Sequence, residues 1–388
     1  MPLIANVLHI SDTHFSPSLL ETGRRLKKLK ILPGPKTHAF GKVDALSIKV
    51  RQLAREKGKV DLFVISGDVT TDGGPKSMAT ALKFLEEDKG VYLGRPPSLK
   101  TLGLGAKARN RIVVPGNHDR YAGAYKWPPR QQPTDALEQT FGITQNYPYV
   151  VAFRQPGQSD SGAAVVFFVF DTTLTDLGDR DSFLDRIATG RFEIAQGEWL
   201  RETSAELART GQVPDLSGAT LSVDYESCIR IAVLHHHPVE RERDDTDAIT
   251  LANSIDFTTM ENSGSFVEAC FDTGIDFVLF GHQHLKYNGR LVPKPRPGWT
   301  PPKRASAIHF FCCPSTTEFE THEDEEKRNG FYFFSFGDRH FEVDTFAWEK
   351  DLRTFDRVAT IVEQYPRMTT IRTAKDTAIG SAQASGGK

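Results

Sequence analysis

The sequence has few of the residues that would place it among disulfide-rich or membrane proteins. It holds 4 cysteines in 388 residues, and no two of them have CxxC spacing. Three of the four lie in or beside apolar runs, so we expect reduced thiols in the core rather than a zinc or disulfide site. No apolar run reaches the roughly 18 residues of a transmembrane helix.

The chain also lacks an excess of charge of either sign. Its 48 lysines and arginines nearly balance 50 acidic residues, and the net charge of −2 gives no general attraction to nucleic acid or anionic membranes. The first residues, MPLIANVLHIS, become polar too early for a signal peptide. We therefore expect a cytoplasmic protein that does not bind membranes. A basic stretch from Arg24 to Lys30 keeps nucleic acid as a less favoured partner.

Short apolar runs that end in polar residues are what the sequence does contain. The clearest is NRIVVPGNHDRY, in which residues 112–114 predict a buried strand and a Pro-Gly turn ends it. Asn117, His118 and Asp119 follow directly. They offer an amide oxygen, an imidazole and a carboxylate, which are groups that a metal site or an acid–base site uses.

The same pattern recurs at four other strand ends. Apolar runs at residues 7–11, 60–66, 229–234 and 277–280 each lead into a loop that carries Asp or His. Ligands of open α/β sheets bind beyond the carboxyl ends of the strands, so these loops are expected to converge. Mixed nitrogen and oxygen donors favour transition metals over Mg or Ca. These donors suffice for two ions, and Asp68 is the natural bridging ligand. The candidates are Asp12, His14, Asp68, Asn117, His235, His236, His237, His282 and His284.

Early strand–helix–strand order and late strands at hairpin spacing predict an α/β protein with a mixed sheet. We expect one domain over residues 1–350, with insertions at 16–43 and 286–305. Residues 287–304 and the charged run 318–328 are predicted as loops. Residues 351–388 are predicted as a C-terminal extension that is disordered from about residue 374, where the sequence becomes rich in Ser, Gly and Ala.

The polar blocks resemble those of the calcineurin-like metallophosphoesterases. They occur in that family's order between residues 12 and 284, as Asp12-x-His14, Gly67-Asp68, Gly116-Asn117-His118-Asp119, His236-x-Pro238 and Gly281-His282-x-His284. The resemblance implies a four-layer αββα sandwich of two mixed sheets flanked by helices. It also implies a centre of two transition-metal ions, for which Mn, Fe and Zn are the expected metals.

The resemblance further implies roles for single residues. The first metal would be held by Asp12, His14 and His284, the second by Asn117, His236 and His282, and both by Asp68. His236 is preferred over its neighbours because the family's ligand lies two residues before the proline, and because strand alternation turns one of the three histidines away from the other two. Asn117 and His118 would face the substrate. His118 would stabilise or protonate the leaving oxygen, and Asp119 would orient His118 or hold the loop.

The expected reaction follows from two ions about 3.5–4 Å apart, which can clamp the attacking and leaving oxygens of an in-line displacement by a bridging hydroxide. The sequence therefore predicts a metal-dependent phosphoesterase acting on a small phosphodiester or phosphomonoester. It resembles the bacterial cyclic-nucleotide and general phosphodiesterase branch more than the serine/threonine protein phosphatases. Those carry Arg-Gly after the second block and Glu after GNH, where this chain has Thr71-Asp72-Gly73 and Asp119.

Two alternatives remain open from the sequence. One is a nuclease of the same family. The other is a non-catalytic scaffold that binds a partner protein. A scaffold would tolerate the loss of metal ligands, whereas this chain retains all seven chosen ligands and His118.

Overall fold

The structure, a computed structural model, describes residues 3–17, 37–87, 103–121, 134–157, 163–173, 189–239, 260–293, 307–319 and 325–365. Most of the predicted insertion at 16–43 and the later part of that at 286–305 lie outside these residues. So does the tail from residue 366 onward, which includes the segment expected to be disordered.

Two six-stranded mixed sheets form the centre of the molecule. The strands, in chain order, are β1 Leu3–Ile10, β2 Leu62–Ser66, β3 Arg111–Val114, β4 Tyr149–Phe153, β5 Val165–Val169, β6 Gln212–Pro214, β7 Thr220–Ser222, β8 Ile229–Val233, β9 Phe277–Phe280, β10 Tyr287–Leu291, β11 Ile308–Cys312, β12 Gly330–Gly337, β13 His340–Glu349 and β14 Thr354–Gln364. The first sheet has the order β14-β13-β12-β1-β2-β3, and the second has β10-β11-β9-β8-β5-β4. β6 and β7 form a separate hairpin.

In the first sheet the parallel strands lie on one side and the antiparallel strands on the other, whereas in the second sheet the parallel strands are the inner ones. β1 pairs in parallel with β2, and β2 with β3. In the second sheet β5, β8, β9 and β11 pair in parallel, and β4 and β10 are antiparallel at its edges. Parallel strands end at the same edge of their sheet, so this topology gathers the loops that carry the predicted site residues.

Helices cover the outer face of each sheet. They are α1 Phe40–Glu56, α2 Pro75–Glu86, α3 Asn117–Tyr121, α4 Ala136–Phe141, α5 Ile194–Thr210 and α6 Ser263–Thr273, with short 3₁₀ turns at Ala108–Asn110, Tyr225–Ser227 and Glu325–Lys327. α2 begins with Pro75 in its first turn, a position where the missing N–H costs nothing. α5 ends at Gly211, whose φ of 64° is the left-handed conformation that favours glycine.

Three hydrophobic cores follow from alternating side chains. Leu8 and Ile10 of β1 pack toward the helices α1 and α2, whereas Val7 between them packs toward the second sheet. The third core lies between the second sheet and α5 and α6, where Leu200 and Phe266 are buried. The layers are therefore helix, sheet, sheet, helix, which confirms the predicted four-layer αββα sandwich.

The sequence missed strands at the edges of the sheets. Residues 287–291 were predicted as loop within an insertion, but they form β10 and pair with β11. The first sheet also continues past the predicted domain end at residue 350, because β14 pairs with β13 as far as Gln364. Both strands lie at an edge with one face exposed, so their sequences lack the apolar run by which a buried strand is recognised.

All four cysteines are free and buried, as the sequence predicted. Among the described residues, no helix combines the length and the apolar character that crossing a membrane requires.

Candidate metal centre

The loops after β1, β2, β3, β8 and β9 meet at one edge of the sandwich. Backbone hydrogen bonds join them, since the N–H of Asp12 donates to the carbonyl of Gly67 and the N–H of His14 to that of Asp68, each at 3.0 Å. The second sheet joins through His282, whose N–H donates to Oδ2 of Asp12 at 3.0 Å. Loops from both sheets are thus brought to one site.

Left-handed backbone is concentrated in these loops. Seven non-glycine residues of the described chain have positive φ, and five of them belong to the predicted ligands, namely Asp12, His14, Asp68, His282 and His284. Such residues cost free energy and persist where the surroundings impose them, commonly at functional sites.

One set of metal-binding atoms comprises Asp12, His14, Asp68 and His284, whose ligand atoms all lie within 4.8 Å of one another. Nε2 of His284 lies 3.1 Å from Oδ1 of Asp12 and 3.2 Å from Nε2 of His14. All four residues are buried. These are the residues that the sequence predicted to surround the first metal, together with the predicted bridging carboxylate.

A second set adjoins the first and is centred on His235. Its Nε2 lies 3.2 Å from Oδ1 of Asn117, 3.2 Å from Nδ1 of His282 and 3.5 Å from Oδ1 of Asp68. Its Nδ1 lies 2.7 Å from the carbonyl oxygen of Ser66. Because a carbonyl oxygen only accepts hydrogen bonds, Nδ1 of His235 carries the proton. Nε2 is then the ring nitrogen that faces the other candidate metal ligands.

His236 belongs to this cluster as well, because its ligand atom lies within 4.8 Å of those of His235 and His282. Nδ1 of His236 lies 2.9 Å from the hydroxyl oxygen of Thr172, and its buried Nε2 has no hydrogen-bond partner among the described residues. The His236 ring still lies beside that of His282, with ring centroids 4.6 Å apart. Nδ1 of His237 lies 2.5 Å from the carbonyl of Val239. Strand alternation does not apply to the three histidines, because β8 ends at Val233, before them.

The electrostatics of the site favour a cation. Burial alone would raise the pKa values of Asp12 and Asp68. The neighbouring histidines, His284 for Asp12 and His118 with His235 for Asp68, outweigh burial and hold both pKa values below their usual range. Burial likewise opposes a charge on His235, but Asp68 raises its pKa to about 9. Burial lowers the pKa values of His14 and His236, so the site combines ionised carboxylates with neutral imidazoles, the forms in which these groups bind a metal ion.

His118 lies at the boundary of the two sets. Its backbone N–H donates to Oδ1 of Asp68 at 2.9 Å, and its Nδ1 lies 3.0 Å from the carbonyl of Thr71. The ring stands edge-on to His14, with centroids 4.9 Å apart, and Nε2 is 3.9 Å from Oδ2 of Asp68. The Thr71 carbonyl assigns the proton to Nδ1, so Nε2 is the atom turned toward the metal-binding groups.

Asp119 holds loops together rather than facing the substrate. Its carboxylate accepts hydrogen bonds from the N–H groups of Val69 at 3.0 Å, Thr70 at 2.9 Å and Gly116 at 3.1 Å, and from the Thr70 hydroxyl at 2.8 Å. It is fully buried. Of the two roles that the sequence left open for Asp119, these contacts favour holding the loop over orienting His118.

Asp119→Ala is accordingly expected to lower the free energy of unfolding by about 3 kcal/mol or more, since it leaves three buried N–H donors without their acceptor. Urea denaturation in EDTA measures this without a contribution from metal. Asp135→Ala, which removes a largely exposed carboxylate, serves as the control and should cost about 1 kcal/mol or less. If Asp119→Ala lowered the free energy of unfolding as little as the control does, the role of Asp119 in holding the loops would be refuted.

Sequence analysis missed Glu318. It was assigned to a solvated charged loop, but it is 3% exposed and its Oε2 lies 2.5 Å from Nδ1 of His284. The Ser-Thr-Thr run that precedes it is uncharged and buried, which separates Glu318 from the acidic residues that follow. That run was the one local signal that Glu318 differs from them.

Comparison with known proteins indicates the same class of protein as the residues of the site do. The family model for calcineurin-like phosphoesterases matches residues 5–286. The chain belongs to the calcineurin-like phosphoesterase family, as the order of its polar blocks predicted. No curated protein sequence matches the chain.

Solved structures with a similar fold include the calcineurin-like phosphoesterase YfkN from Bacillus subtilis, with 13% identity and a TM-score of 0.38, covering 94% of this chain and 90% of that one. A predicted phosphoesterase from Streptococcus pneumoniae has 11% identity and a TM-score of 0.32, with 94% and 99% covered. A Vps29 mutant from Entamoeba histolytica has 10% identity and a TM-score of 0.31, with 92% and 99% covered.

Proposed function

We propose that this protein is a dinuclear metal-dependent phosphodiesterase that acts on a small substrate. The observation that carries the proposal is the meeting of two sets of metal-binding atoms at Asp68, whose carboxylate touches both. Two adjoining ions are the arrangement that suits displacement at phosphorus. The four free cysteines support a reducing, cytoplasmic setting.

The donor set fits two transition-metal ions. Asp12, His14 and His284 would hold one ion, and Asn117, His235 and His282 the other, with Asp68 shared. Imidazole nitrogen combined with few carboxylates suits Mn, Fe or Zn better than Mg or Ca. The buried Nδ1 of His14, which lacks a hydrogen-bond partner among the described residues, is a further sign of a site arranged for a cation.

We propose His235 for this ligand set, where the sequence predicted His236. Both cluster with His282, and the Nε2 of His235 also lies near Asn117 and Asp68. The Ser66 carbonyl orients the His235 ring from behind, as partners of metal-binding histidines commonly do. His236, whose ring lies beside His282, would pack against the ligand rather than bind the ion.

Substitution of the three histidines one at a time tests this assignment. His235→Ala is expected to lose one of two bound Mn²⁺ ions, by plasma mass spectrometry after equilibrium dialysis. His237→Ala, the control, should keep both ions. His236→Ala should also keep two ions, with affinity lowered by less than about tenfold. Loss of an ion from His236→Ala but not from His235→Ala would reverse the assignment.

The residues around the ions have separate tasks in the proposed reaction. When bound, the two ions would neutralise the phosphoryl charge and lower the pKa of the attacking water. Asn117 contributes a neutral oxygen, which adds no negative charge near the phosphate. His118 keeps its Nδ1 proton on the Thr71 carbonyl, so only the doubly protonated ring would donate the Nε2 proton to the leaving oxygen and return to the neutral form.

A cleft of about 680 Å³ lies beside α3, and its charged side chains bear on the choice between a small substrate and a polyanion, although none of the proposed metal ligands lines it. Arg120 lines it but is paired with Asp171 and Glu138, both at 2.6 Å. Arg191 is paired with Glu261 at 2.9 Å. The cleft also contains further acidic side chains, Asp135 and Glu193. A surface with this balance of charge lacks the excess of cations with which proteins bind a nucleic-acid backbone.

Metal analysis of the purified protein together with hydrolysis of bis-p-nitrophenyl phosphate tests the proposal. We expect two transition-metal ions per chain and turnover that EDTA abolishes and Mn²⁺ restores. If the protein showed neither bound metal nor turnover, a protein-binding scaffold would be the better interpretation. A panel of cyclic nucleotides, glycerophosphodiesters, nucleotides and single-stranded DNA and RNA then ranks substrates, and a strong preference for the polymers would make the protein a nuclease.

A further inference from the structure

A segment after β11, residues 315–318, is bonded along its length to the loop that carries Asp12 and His14. The Thr316 N–H donates to the carbonyl of Ser11 at 3.0 Å. The Ser315 hydroxyl donates to the carbonyl of Asp12 and the Thr317 hydroxyl to that of Thr13, each at 2.7 Å. These bonds set the position of the segment relative to the first set of metal-binding residues.

Glu318 ends this segment and is held from several sides. Its N–H donates to the Ser315 hydroxyl at 3.3 Å, and its carbonyl accepts from Nζ of Lys42 at 2.6 Å and from Nδ2 of Asn329 at 3.3 Å. Lys42 is itself buried and also contacts Oδ1 of Asn329. The backbone of Glu318 is therefore immobilised, and its side chain extends from a defined point.

The carboxylate of Glu318 contacts His284 on the side away from the metal-binding atoms. Oε2 lies 2.5 Å from Nδ1, while Nε2 of the same ring faces Asp12 at 3.1 Å and His14 at 3.2 Å. A carboxylate that accepts the Nδ1 proton selects the tautomer whose Nε2 lone pair is available and makes that nitrogen more basic.

Behind His235 in the second set stands a neutral group rather than a carboxylate. Nδ1 of His235 faces the carbonyl of Ser66. An anionic acceptor stabilises a metal-bound imidazole more than a neutral one does, because charge-assisted hydrogen bonds are the stronger kind. The two positions therefore differ in the groups that orient their histidines.

We propose that Glu318 is a positioning residue that strengthens metal binding at the position formed by Asp12, His14 and His284, acting through His284 without binding the ion. The inference rests on the proposed dinuclear function. Lys42 and residues 315–317 contribute by holding Glu318 where its carboxylate reaches the ring.

Glu318→Gln tests the proposal, because it keeps the size of the side chain and removes the charge. In calorimetric titration with Mn²⁺, we expect one of the two ions to bind about 10- to 100-fold more weakly, and the other to bind as in the wild type. Glu325→Gln is the matched control, since it removes an exposed carboxylate that pairs with Lys286 nearby, and it should bind both ions normally.

A second readout separates orientation of the ring from a general loss of structure. In Zn²⁺-loaded protein the Nδ1 proton of His284 should resonate far downfield, as expected of a histidine proton shared with a carboxylate. Glu318→Gln should lose this resonance, and Glu325→Gln should keep it. The thermal midpoint in EDTA is expected to change little for either variant.

Unchanged affinity for both ions in folded Glu318→Gln would overturn the inference. If that variant does not fold, Glu318→Asp takes its place, because its carboxylate is one methylene short of His284. Weakened binding of one ion would then support the inference, and wild-type binding would overturn it. A wild-type protein that binds no Mn²⁺ would instead refute the proposed function, so the two failures are distinguishable.

Discussion

Asp68→Ala is expected to remove both metal ions and to lower phosphodiester hydrolysis by about a thousandfold or more. Asp68 is the carboxylate that both sets of metal-binding atoms share, and its Oδ1 lies 3.5 Å from Nε2 of His235. The second set contains no other anionic donor, since its remaining members are Asn117 and histidines. Loss of this one charge therefore weakens both positions, whereas loss of a histidine should affect mainly one.

Asp61→Asn is the matched control for that experiment. Asp61 and Asp68 flank the same strand, β2, but Asp61 lies at the opposite end, where it accepts from the N–H of Asn6 at 2.8 Å and from Nε2 of Gln155 at 3.1 Å. Asp61→Asn should keep two ions and the wild-type rate. Metal content and the rate with bis-p-nitrophenyl phosphate are measured together. Retention of both ions by Asp68→Ala would contradict the bridging role.

His118→Ala is expected to keep both ions and to lower the rate by about 10²- to 10⁴-fold, the contribution typical of a general acid. The His118 side chain contacts the Thr71 carbonyl through Nδ1, and its Nε2 is 3.9 Å from Asp68. It belongs to neither set of clustered metal-binding atoms. Removing the ring should therefore leave the metals and take away the proton donor.

The choice of substrate makes this experiment specific. An alkyl phosphodiester has a poor leaving group that needs a proton, whereas p-nitrophenolate leaves without one. If His118 is the proton donor, the alanine variant should lose more activity with the alkyl ester than with the p-nitrophenyl ester. Wild-type rates with both esters would eliminate His118 from the reaction. An equal loss with both would assign it to charge stabilisation instead.

The order of the polar blocks was sufficient for the family, and the resemblance to that family implied the layered fold. The expected convergence of the strand ends depends on local patterns. Apolar runs identify buried strands, and the polar residues that follow them mark the strand ends. Because parallel strands end at one edge of a sheet, the convergence of Asp12, Asp68 and Asn117 could be deduced before the tertiary structure was known.

Such local patterns did not identify the edge strands. β10 and β14 pair through backbone groups that every residue possesses, so their side chains need not be apolar. Their assignment depends on which strand lies beside them, and this is a property of the fold.

The tertiary structure also decided what each of three adjacent histidines contacts. His235, His236 and His237 are chemically identical and adjacent, and the chain has already left β8 when it reaches them. Their directions are set by Ser66, Thr172 and the Val239 carbonyl, which lie on different parts of the chain or beyond the turn. No local periodicity contains that information.

Glu318 shows most clearly the difference between what the sequence and what the tertiary structure determine. It comes 34 residues after His284 and begins what reads as a charged surface loop, yet it lies buried against the ring of His284. The sequence determined which donors are present and which strand ends carry them, because those features follow from local chemistry. Only the tertiary structure decided which side chains orient the donors, because that depends on contacts between segments that are distant in the chain.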